Sequence, residues 1–181
     1  DDKQKAFKML KRLTSKPILY VCNVKEDAAA TGNALSARVA ERASEQGAGS
    51  VVISAKIEEE VSQLDDEAEK QEFLETLGLE ETGLTRVIRA GYELLELITF
   101  FTVGPKEARA WTIMKGSKAP QAAGEIHTDF ERGFIKAETI AYDDYVTLGG
   151  EQACKDGGKV RQEGKEYVVH DGDIMLFRFN V

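Results

Sequence analysis

The chain has 181 residues, 42% of them hydrophobic, enough to bury one or two small cores without disulfide or metal staples. Its 32 acidic and 24 basic side chains leave a formal charge of -8, which excludes a wholly basic, phosphate-neutralising surface and confines any RNA contact to a local patch. The 2 cysteines, Cys22 and Cys154, give neither a disulfide framework nor a zinc spacing, and no apolar run approaches the about 20 residues that cross a bilayer, so a reducing cytoplasm and no membrane partner are expected.

Residues 3–13 set Phe7, Met9, Leu10 and Leu13 near helical spacing among lysines, which predicts a short amphipathic helix. Residues 17–22 are a compact apolar run without alternation, the pattern of a central parallel strand covered on both faces, and at Asn23 a loop is expected to begin. Leu35, Val39, Ala40 and Ala43 predict a helix over 31–46 that stops at Gly47, and residues 50–54 read as a second buried strand. Strand, helix, strand in that order is the end of a doubly wound α/β sheet, where ligands sit at the carboxyl edge. A small α/β module without a ligand satisfies the same pattern.

Residues 58–97 return to helical spacing, divided by Gly78 and Gly83, and the crowded acids Glu58, Glu59, Glu60, Asp65, Asp66 and Glu67 predict a solvated face. From Ile98 the character changes to strands, expected over 98–103, 108–114, 134–141 and 173–179, with turns at Gly104-Pro105 and Lys115-Gly116. Short helices are expected over 120–126 and 150–155. A hairpin followed by a crossover helix and further strands is a β-grasp arrangement. The fold class is therefore α/β, with the end of a sheet and its flanking helices in residues 1–97 and a β-grasp domain in 98–181.

The informative motif is Asn23-Val24-Lys25-Glu26 after the first strand, paired with Ser54-Ala55-Lys56 after the second. Two such loops hold the base in P-loop NTPases: an Asn amide bonds the purine edge, an acid three positions on accepts from ring donors, and a backbone N–H of the second loop approaches the exocyclic group. Asn23, Val24, Glu26, Ser54 and Ala55 are the base-binding candidates, although a loop Asn also serves as a simple turn or helix cap. The base is open at this point, since an Asn amide suits adenine while an acidic acceptor suits the donors of guanine. No Gly-x-x-x-x-Gly-Lys-Ser/Thr occurs, and Gly157-Gly158-Lys159 lacks both the earlier glycine and the hydroxyl. No catalytic residue and no metal ligand is therefore expected in this chain, and phosphoryl transfer by it alone is not expected.

A second constellation, residues 126–136, mixes Phe130 and Phe134 with Arg132 and Lys136, which together with Arg109 are candidates for contact with RNA or a partner. The competing reading makes Phe130, Phe134 and Ile135 core. His127 beside Asp129 suits a helix cap, His170 a turn, and Trp111 a sheet face or core. Tyr142-Asp143-Asp144-Tyr145 is too short and aromatic for a calcium loop.

Longer runs carry a resemblance. Residues 73–79, Gly83-Leu84-Thr85-Arg86-Val87-Ile88-Arg89-Ala90-Gly91-Tyr92, residues 108–113, Ala119-Pro120-Gln121-Ala122-Ala123-Gly124, residues 126–135 and the ending from Asp171 to Val181 resemble the YchF-type Obg-like ATPases. The resemblance implies a P-loop domain followed by a TGS domain of β-grasp fold, with this chain as the C-terminal part. It implies hydrolysis of ATP in preference to GTP, with magnesium, by the complete protein, and association with the ribosome, its large subunit, or RNA in the cytoplasm. Asn23 and Glu26 match the family's Asn-x-x-Glu base motif, whereas its phosphate, switch and magnesium motifs have no counterpart here, so this chain alone is expected to be inactive. The alternative is a non-enzymatic RNA- or ribosome-binding module acting through the TGS domain. No oligomeric state follows from the residues.

Overall fold

The computed structural model describes residues 12–180, so the helix expected over 3–13 lies almost wholly outside the described residues. The chain divides into two compact units, one ending at Leu95 and one beginning at Glu96.

In the first unit β1 (Leu19–Asn23) and β2 (Gly49–Ile53) pair in parallel, with Asn23 opposite Ile53, so both strands end at one edge. They are connected through α1 (Ala34–Gln46). Asn33 caps that helix by accepting from the Leu35 and Ser36 N–H groups at 2.9 and 3.0 Å, and Gly47 ends it with φ 63°, a left-handed conformation that glycine adopts without penalty. Among the described residues β1 pairs with β2 alone, so one edge and part of its face stay open and Ile18 and Val21 are about half exposed.

Three helices follow: α2 (Ala55–Ser62), α3 (Glu67–Thr76) and α4 (Gly83–Leu94). Ile57 and Val61 of α2 and Leu74 of α3 pack with Ala29 and Leu79 to form the unit's buried cluster. The acids within α2 and after it are not uniformly a solvated face. Glu58 turns inward and accepts from the Gly83 and Leu84 N–H groups at 2.7 and 3.0 Å, because the first turn of α4 has donors without intrahelical partners.

The second unit holds a five-stranded sheet ordered β4-β3-β7-β5-β6. Its elements are β3 (Leu97–Val103), β4 (Ala108–Met114), α5 (Ala119–Ile126), α6 (Thr128–Arg132), β5 (Phe134–Ile140), α7 (Tyr142–Leu148), α8 (Glu151–Asp156), β6 (Arg161–Glu163) and β7 (Ile174–Phe179). β3 and β7 run parallel at the centre, and the remaining neighbours are antiparallel. On one face Ala119, Ala122 and Ala123 of α5 are fully buried in a cluster with Phe100, Phe134 and Phe177; methyl side chains let the helix approach the sheet closely. On the other, Ile140 and Ile174 bury Cys154 of α8.

α6, α7 and β6 form where no element is expected from the sequence. Phe134 is buried and Phe130 stacks on Phe179 with ring centroids 3.9 Å apart, but Ile135, the third residue expected in that core, is 56% exposed, because the register shifts between Phe134 and Lys136 and leaves Ile135 as the extra residue of a bulge. Gly133 precedes β5 at a point where an added Cβ would lie 2.2 Å from the Asn180 carbonyl oxygen, so the backbone of the last strand fits only against glycine.

Candidate functional site

The parallel register brings the loop after β1 and the loop after β2 side by side. The Val24 N–H donates to the Ile53 carbonyl at 2.8 Å, continuing the pairing one residue past the strand ends. The Ala55 N–H then donates to Asn23 Oδ1 at 3.0 Å across 32 residues of sequence. That bond fixes the plane of the Asn23 amide and leaves its NH2 group as the donor for anything that approaches. A backbone N–H of the second loop was expected to approach a base; the N–H of Ala55, one of the candidates in that loop, is engaged in orienting Asn23.

Asn23, Val24, Lys25, Glu26, Asp27, Ser54 and Lys56 line one open cleft of about 620 Å³. Ser54 is 2% exposed, and its hydroxyl oxygen has no hydrogen-bond partner among the described residues. It stands at the N-cap position of α2 without making the capping bond that serine there normally makes. A buried hydroxyl left unpaired costs about 1–3 kcal/mol.

Glu26 opens a short 3-10 turn, Glu26–Ala28, and its carboxylate accepts from the Lys56 ammonium at 2.7 Å. Lys56 also stands 3.7 Å from Glu60, one helical turn on. The hydrogen bond and charge of Glu26, then the charge of Glu60, outweigh desolvation and hold the Lys56 ammonium above the ordinary lysine range, so it is a cation at neutral pH. Lys25, Asp27 and Lys56 complete the cleft; Lys25 and Lys56 belong to the two loop motifs but were given no base-binding role, and Asp27 lies just beyond the first motif. Lys56 directly follows the candidates Ser54 and Ala55, and its position one turn before Glu60 was the available signal.

The three bases expected to meet RNA are not gathered. Arg109 lies on the edge strand β4 with its guanidinium 4.3 Å from the Trp111 ring centre, while Lys136 lies on β5, beyond β3 and β7, and donates to Gln162 at 2.9 Å. Arg132 is exposed, 3.8 Å from Asp129. His127 acts as a cap, its Nδ1 accepting from the Asp129 N–H at 3.2 Å. Among the described residues no group of three or more His, Cys, Asp and Glu side chains is placed to hold a metal ion, and no helix is long and apolar enough to cross a membrane.

Comparison with known proteins bears on both units. The family model YchF-GTPase_C, described as a protein of unknown function (DUF933), matches residues 97–180. The chain is 56% identical over 183 residues to the Ribosome-binding ATPase YchF of Bacillus subtilis (strain 168), a match that covers 100% of this chain and 50% of that protein. It is 47% identical over 171 residues to Obg-like ATPase 1 of Rattus norvegicus, covering 93% of this chain and 43% of that one. The solved structure of the Schizosaccharomyces pombe YchF GTPase superposes with a TM-score of 0.77 at 38% identity, covering 92% of this chain and 44% of that chain. The chain thus spans about half the length of the curated relatives it matches. The chain belongs to the family of YchF-type Obg-like ATPases.

Proposed function

We propose that the first unit carries the purine-recognition end of a nucleotide site, closing a P-loop NTPase sheet in residues 1–97, and that residues 98–181 are a TGS domain of β-grasp fold. The protein would be a cytoplasmic ATPase that acts at the ribosome, through its large subunit or RNA, and prefers ATP to GTP. One observation carries the reading: Asn23, its amide oriented by the Ala55 N–H, and Ser54, whose buried hydroxyl is unpaired among the described residues, line the same cleft at the carboxyl edge of two parallel strands. The relatives named ribosome-binding ATPases support the setting, and the central parallel pair flanked by hairpin-type neighbours supports the β-grasp assignment.

Asn23 supplies a hydrogen-bond donor suited to a purine ring nitrogen, Ser54 a hydroxyl for an exocyclic group, and Val24 an apolar edge along the base. Phosphate binding, magnesium and hydrolysis belong in this reading to a protein of the relatives' full length, where magnesium neutralises charge on the phosphates.

Calorimetry with ATP and GTP on this chain and on a form extended to the relatives' length tests the proposal, each with and without Asn23→Asp. Aspartate keeps an acceptor for the Ala55 N–H but replaces the NH2 donor by oxygen. Thermal stability should therefore hold while purine affinity in the extended form falls about tenfold, the worth of one lost hydrogen bond. Undiminished ATP affinity in the variant would sink the assignment of Asn23. If the extended form binds neither nucleotide, the protein is instead an RNA- or ribosome-binding module working through its second unit.

A further inference from the structure

The carboxylate that most resembles a guanine acceptor is already engaged. Glu26 holds the Lys56 ammonium at 2.7 Å, and both groups line the cleft that also contains Asn23 and Ser54. We propose that Lys56 determines which purine the cleft accepts, by masking Glu26 and so favouring adenine over guanine. The inference rests on the nucleotide-site reading and adds to it the residue that sets specificity.

The chemistry of the two bases decides the direction. Guanine presents its ring N1–H and exocyclic amine as adjacent donors, which need a carboxylate with free lone pairs. Adenine presents an acceptor at N1 beside its single exocyclic donor. An isolated carboxylate at position 26 favours the first pattern, because donors meeting a charged acceptor form strong hydrogen bonds. With Lys56 in place the same locus presents both an acceptor and a cationic N–H donor. An ammonium carries three donors; one is used on Glu26, and Glu60 attracts the group more weakly from 3.7 Å. A remaining N–H suits the adenine N1 acceptor and opposes the guanine N1–H.

Geometry explains why the pair forms. Lys56 sits in the first turn of α2, directly after the buried Ser54 and the Ala55 N–H that Asn23 holds, so its stem emerges beside the turn that carries Glu26. Glu60, four residues later on the same helix face, adds a second, weaker attraction for the ammonium. Both members are substantially exposed, at 63% for Lys56 and 41% for Glu26, so the pair is a modest bias that a competing ligand can break. A modest bias is also what a preference between two purines requires.

The test compares GTP and ATP affinities by calorimetry for the form extended to the relatives' length, unsubstituted, with Lys56→Met, and with Lys56→Met combined with Glu26→Gln. Lys56→Met frees Glu26 and should raise GTP affinity relative to ATP by about fivefold, the size of a surface ion pair's worth. Adding Glu26→Gln should cancel the gain, because no carboxylate remains to be unmasked. An unchanged ratio in Lys56→Met, or a gain that survives in the double variant, overturns the role of Lys56 while leaving the site reading intact. Absence of any nucleotide binding by the unsubstituted extended form overturns both. Lys56 is an exposed residue of a helix surface, so the substitution does not threaten folding, and a circular dichroism melt confirms that for each variant.

Discussion

Asp173 is 3% exposed, and several donors converge on its side chain: the Tyr167 hydroxyl at 2.7 Å, the His170 N–H at 2.9 Å and the Arg161 guanidinium at 3.4 Å. Burial, followed by the hydrogen bond to Asp173 and its charge, pushes the Tyr167 phenol from 10.0 up to about 12. The folded state therefore holds the phenolic proton over a pH range in which the unfolded chain has lost it, so stability from this group is complete below pH 10.0 and is lost as pH rises toward about 12. Urea midpoints measured from pH 9 to 12 should fall more steeply for the native chain than for Tyr167→Phe; equal slopes would show that the phenol is not held this way. None of this network is visible in the sequence beyond a turn at His170, since its members meet only when the last strand docks. That Asn23 and Ser54 come together was legible because one ends a strand and the other directly follows the next strand, and ends of parallel strands are where loops meet. The Lys56–Glu26 pair joins residues 30 positions apart and depends on the register between two loops.

Helix α4 shows how an element is held by a residue that does not belong to it. Thr82 caps it locally by accepting from the Thr85 N–H at 3.1 Å, and Glu58 of α2 takes the Gly83 and Leu84 N–H groups. Gly83 makes the approach possible, since a Cβ there would lie 2.8 Å from the Glu58 Oε1 atom and 2.9 Å from the Ile53 side chain. A carboxylate at a helix N-terminus also meets the positive end of the helix dipole. Glu58→Ala should therefore lower the stability of the first unit by about 1–2 kcal/mol, read as a shift in urea midpoint with an unchanged slope, and Glu58→Gln by less because one acceptor survives. A shift of a few tenths for alanine would mean that water replaces the cap at no cost. The helices themselves were legible from apolar spacing, and the long strands from alternation. β6 was not, because three residues carry no period, and α7 was hidden by aromatic and acidic residues with low helix preference. The same limit applied to β1: its apolar run correctly marks a strand but says nothing about how many neighbours cover it.

At the scale of the whole chain, each buried cluster draws on one unit only. Ala29, Ile57, Val61, Leu74 and Leu79 serve the first, while the aromatic cluster around Phe100 and the smaller one around Cys154 both belong to the second. The second unit also closes its own backbone account: the last strand lies between β3 and β5, and the Asn180 N–H and carbonyl stand against Gly133 within the same unit. With two clusters, one on each face of its sheet, this unit has the layered core that a small domain needs to fold without staples. Residues 96–181 expressed alone should therefore unfold in one cooperative urea transition with a slope of about 1 kcal/mol/M, and with dispersed amide signals in the native state. A gradual, dye-binding transition would instead mark a molten state, and would show that residues before Glu96 are needed to complete its packing. Among the described residues the first unit has a smaller cluster and a two-stranded sheet with an open edge, so the same experiment on residues 12–95 should give the lower midpoint of the two. That ordering follows from where the apolar side chains are buried, and it puts the cleft of Asn23 and Ser54 on the less stable part of the chain, so that under the proposed reading a bound nucleotide would raise the melt of that unit.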